Sequence, residues 1–92
     1  MNEIKLIDAI RQMEDISREG GTFSFSHRKY DRHRAIGGDL VTIPHARLRP
    51  QAKDEQVADA AYKIFYTDCD TGLARIAWQP LIVQFNGMTV II

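Results

Sequence analysis

The stretch HRKYDRHR, residues 27–34, concentrates positive charge in a chain whose formal net charge is zero. From residue 27 to 49 six cations (Arg28, Lys29, Arg32, Arg34, Arg47 and Arg49) face only Asp31 and Asp39, a formal +4 that the rest of the chain balances. Gathered at one end of a hairpin, such side chains can neutralise phosphates, and Tyr30 can offer a base a stacking face. The plainer reading is a solvated hairpin end, where Arg and Lys guard a strand against edge-to-edge association. Zero net charge also argues against a dedicated DNA binder, for which a strongly basic domain is expected.

The other reactive side chains make no catalytic or metal signature. His27, His33 and His45, with Cys69 or Asp68 as further donors, fit no usual ligand spacing, and neighbouring arginines oppose a bound cation. The segment DCDTG at 68–72 opens like a calcium loop, but an apolar strand follows where further oxygen ligands are needed, so a hairpin turn is expected. Cys69 between two carboxylates is poorly placed to be a thiolate nucleophile. No catalytic residue, metal or cofactor is therefore assigned. Trp78 is either a core aromatic or an interface anchor, and the apolar ending MTVII, with Val90 and Ile92, would offer an interface if it formed a sheet edge.

The positioning elements follow from periodicity. Apolar side chains at Ile4, Leu6, Ile7, Ile10, Met13 and Ile16 recur every three or four residues, which predicts an amphipathic helix over about 3–19 with Asn2 as N-cap and Gly20-Gly21 as terminator. The period then changes to two. Phe23 and Phe25 alternate with serines in one strand, YDRHRAIGGD reads as a loop, and LVTIPHARL resumes as a strand whose Pro44 marks an edge or a bulge. Residues 50–60, polar and opened by a proline, read as a connecting loop with room for one helical turn. AAYKIFYTD, with Tyr62, Ile64 and Tyr66 on one face, and LARIAWQ form a second hairpin, and Asn86-Gly87 closes a third between about Leu81–Phe85 and Met88–Ile92 through a type I′ turn.

Ninety-two residues suffice for one domain, residues 1–92, with its β-rich part over about 22–92. The expected class is α+β: one N-terminal helix followed by five or six short antiparallel strands that can curl into a small barrel. A single cysteine suggests a reducing compartment, and neither a signal peptide nor an apolar run of about 20 residues is present, so a cytoplasmic protein without membrane contact is expected.

Together GGTFSFSHRKYDR, HARLRP, DTGLARIAWQPL and FNG resemble short uncharacterised proteins encoded in bacterial prophage and mobile-element regions. The resemblance spans most of the chain after the first helix and implies a morphogenesis or accessory role, with no functional residue to carry over. Two function classes follow. The first is a non-enzymatic assembly or protein-interaction module that binds partners or itself through sheet edges. The alternative is a nucleic-acid-binding accessory protein using the cations of 27–49.

Overall fold

A computed structural model of the chain describes residues 2–31, 36–51 and 57–92, with the backbone alone for Tyr30, Asp31, Ile36 and Gly37. The described residues form β1 (Glu3–Lys5), α1 (Leu6–Arg18), β2 (Phe23–Asp31), β3 (Ile36–Leu48), β4 (Lys63–Asp68), β5 (Leu73–Trp78), β6 (Ile82–Phe85) and β7 (Met88–Ile91). Short 3₁₀ turns at Ala60–Tyr62 and Gln79–Leu81 precede β4 and β6. All seven strands share one sheet in the order β1-β7-β6-β2-β3-β4-β5. The fold is α+β as expected, but the sheet stays open with β1 and β5 at its edges, so no barrel closes.

The N-terminus corrects the sequence reading. Residues 3–5 extend and pair in parallel with β7, Ile4 opposite Val90, so the helix starts at Leu6 and Asn2 is not its cap. Ile4 is buried there rather than on the helix. The inward stripe of α1 is Leu6, Ala9, Met13 and Ile16, and Ile7 faces outward at 61% exposure. The helix ends as its glycines predict. Gly20 takes φ +81°, its N–H reaches the Ser17 carbonyl, and the Gly21 N–H reaches that of Ile16, the paired bonds of a Schellman motif.

The three hairpins fall where alternation placed them, with adjusted ends. Gly37 lies within β3, opposite Tyr30, so both strands extend into the stretch expected as a loop, whose residues 32–35 lie outside the described residues. The register shift between Arg28 and Tyr30 is taken up around Gly38-Asp39, where the small residue tolerates a bulge. A second shift, between Phe23 and Phe25, falls at Pro44-His45. Pro44 thus marks a bulge and not an edge, since β3 lies between β2 and β4. Tyr62 precedes β4 and is exposed, so the inward face of that strand is Ile64, Tyr66 and Asp68. Asn86 and Gly87 both have positive φ, +46° and +81°, as a two-residue type I′ turn requires.

The core joins α1 to one face of the sheet. Phe23, Phe25 and Phe85 make tilted ring contacts, Tyr66 meets Phe25 edge-on, and Ile43, Ala46, Ile64, Ala77 and Ile82 fill the space around them. The β4–β5 hairpin curls back far enough that β5 approaches β2. This curl builds the candidate site.

Candidate functional site

A concavity of about 350 Å³ opens between β2 and β5. His27, Arg28 and Lys29 of β2 form one wall, and Arg75, Ile76, Ala77 and Trp78 of β5 form the other, with Lys63 from the start of β4. Successive side chains of a strand point to opposite faces, so a concavity lined by four consecutive residues runs along the edge of β5 and not over one face. Among the described residues β5 has one strand neighbour, β4. Every second residue of β5 therefore turns its N–H and C=O away from the ladder.

Strand register distributes the charge. Arg75 lies opposite Tyr66, on the face of buried Tyr66, whereas Lys63 lies opposite Trp78 on the other face. The Lys63 ammonium sits 4.3 Å from the Trp78 ring centroid and donates to the Ala58 carbonyl at 2.7 Å. Among the described residues the groove is thus lined by four cationic side chains and no carboxylate, and positive charge is present on both faces of the β5 edge.

Beneath the groove, buried His27 shares a 2.9 Å hydrogen bond between Nε2 and the Tyr66 hydroxyl and stacks on Phe25. Its Nδ1 is buried without a hydrogen-bond partner. Burial holds the imidazole below its ordinary pKa, opposed by the adjacent Arg28 backbone and reinforced by the charges of Arg75 and Lys29. Burial likewise raises the Tyr66 phenol, with Arg75 opposing and Asp68 adding to the rise. The pair is a neutral floor for a cationic groove.

The six cations singled out from sequence separate. Arg28 and Lys29 line the groove, while Arg32 and Arg34, with His33, lie outside the described residues. Arg47 faces the helix end, donating to the Gly20 and Gly21 carbonyls at 2.6 and 3.1 Å. Arg49 donates to the Tyr66 carbonyl at 3.3 Å and lies over the Phe65 ring. Both of these guanidiniums join elements of the fold. Lys63 and Arg75 are remote in sequence from the basic stretch; the available signal was that Arg75 shares the strand of Trp78 and that Lys63 lies on its hairpin partner.

The remaining candidates are dispersed. Trp78 lines the groove, Val90 packs against the core opposite Ile4, and Ile92 is 95% exposed beyond β7. β7 is covered by β1 and is not the edge that an interface at Val90 and Ile92 supposed. His45 Nδ1 meets the Asp70 carboxylate at 3.0 Å on the surface, and the nearby Cys69 thiol is exposed. Among the described residues no three His, Cys, Asp or Glu side chains come together as a metal site, and no helix is long and apolar enough to cross a membrane. No protein-family model, curated protein or solved structure matches the chain.

Proposed function

We propose that this protein is a non-enzymatic interaction module that takes an extended segment of a partner protein onto the outer edge of β5. The observation that carries the reading is the six-residue edge strand Leu73–Trp78, with one strand neighbour and with a groove along its open side. An open edge is a template for a further strand: main-chain hydrogen bonds supply affinity and alternate side chains supply selectivity. Leu73 and Ile76 are exposed on this strand, available for burial by a partner. A cytoplasmic accessory role in phage assembly fits such a module and the prophage resemblance.

Amide chemical-shift mapping of the full chain with strand-forming peptides tests this. Shifts concentrated over residues 73–78 and the facing part of β2 are the expected result. Shifts elsewhere, or none with any peptide, overturn it. Nucleic-acid binding draws on the same four groove cations and is an arm of the experiment below.

A further inference from the structure

We infer that the segment added to β5 is acidic, and that Arg28, Lys29, Lys63 and Arg75 select it. This inference rests on the strand-addition reading and specifies its partner.

The charge distribution carries it. A strand laid along β5 presents successive side chains to opposite faces of the sheet. Arg75 lies on the face of Tyr66 and Lys63 on the face of Trp78, while Arg28 and Lys29 approach from β2, so a carboxylate on either face of the incoming strand meets a cation. Among the described residues no carboxylate lines the groove, so an acidic strand supplies these cations with charge partners. Complementary charge at such a surface sets partner choice and speeds encounter, and like charge rejects wrong partners.

A second copy of the chain is the wrong occupant. Pairing β5 with another β5 brings Arg75 and its copy into the same small interface, and like charges across a strand pair are destabilising. A nucleic acid would satisfy the cations but could not extend the β4–β5 ladder along the outer side of β5. An acidic extended peptide satisfies both sets of groups.

The test uses the full chain and synthetic peptides of about eight residues, matched to the usual span of a strand. One alternates Glu and Val, a second Lys and Val, a third Thr and Val. A fourth is the Glu-Val peptide N-methylated at alternate residues, which keeps the charge and removes ladder donors. A single-stranded oligonucleotide is the nucleic-acid arm. Binding is read by calorimetry and by the fluorescence of Trp78, the only tryptophan.

The Glu-Val peptide is expected to bind at least about tenfold more tightly than the Lys-Val, Thr-Val and N-methylated peptides. The double substitution Lys29→Glu with Arg75→Glu is expected to reverse the preference toward the Lys-Val peptide, a gain that misfolding cannot produce. Equal binding of Glu-Val and Thr-Val peptides overturns the acidic selection while leaving strand addition standing. Insensitivity to N-methylation, or tighter binding of the oligonucleotide than of every peptide, overturns both and makes the groove a simple polyanion site. Absence of binding by every probe also overturns both.

Discussion

His27 shows how much one residue's surroundings change its chemistry. In sequence it belongs to a run of cations; in the fold it is a buried, stacked ring bonded to Tyr66, with Nδ1 unpaired. Because burial lowers its folded pKa below the unfolded value of 6.5, the unfolded chain binds the proton first. Its contribution to stability is therefore complete above that value and is lost as pH falls from it toward the folded pKa. Urea unfolding at about pH 7.5 and about pH 5 should show this loss, and His27→Phe, which keeps a ring against Phe25, should flatten that part of the profile. The loss of Tyr66's hydroxyl in Tyr66→Phe leaves both ring nitrogens unpaired and is expected to cost about 1–3 kcal/mol at neutral pH by the same measurement. Arg47 teaches a related lesson. Its guanidinium serves the carbonyls that follow α1, so Arg47→Ala should lower stability by roughly 1 kcal/mol and leave groove binding unchanged in calorimetry.

At the scale of elements, local signals and their physical cause can be matched. The β6–β7 hairpin was legible because its turn needs two residues with positive φ, and Asn-Gly supplies them. Asn86 does more than turn the chain: its side-chain carbonyl accepts from the Ser24 N–H at 2.9 Å, and its own N–H donates to the Ser24 carbonyl, joining the turn to β2. Gly87→Ala puts a Cβ on a φ of +81°, with open space around it, so conformational strain alone should cost about 1–2 kcal/mol, read from the thermal or urea midpoint. The helix end was equally legible from Gly20-Gly21. Its start was not, because Ile4 satisfies a helical spacing as well as a strand, and only pairing with Val90 on β7 distinguishes them. Gly37-Gly38 misled for the opposite reason: glycine weakens a strand without forbidding one, and a neighbouring strand with fixed register overrides that preference.

For the whole molecule, edges matter most. β1 closes one side of the sheet over β7, which spares the chain an open C-terminal apolar strand. A chain beginning at Leu6 should therefore expose β7 and lose the buried Ile4; light scattering on a size-exclusion column is expected to show self-association that the intact chain lacks. Among the described residues no strand lies beyond β5 on the opposite side, and the curl of the β4–β5 hairpin toward β2 turns that edge into a groove. What the sequence by itself determined was the local content: an amphipathic N-terminal helix with its glycine terminator, three hairpins and the +4 segment. These depend on contacts between residues close along the chain, where periodicity and turn chemistry act directly. The tertiary structure alone decided the parallel pairing of Glu3–Lys5 with Met88–Ile91, more than 80 residues apart along the chain, and the choice of edge strands. It also decided which cations meet, Arg28 and Lys29 with Lys63 and Arg75, because long-range pairing and sheet curl arise from the packing of the core as a whole, and no local pattern encodes them.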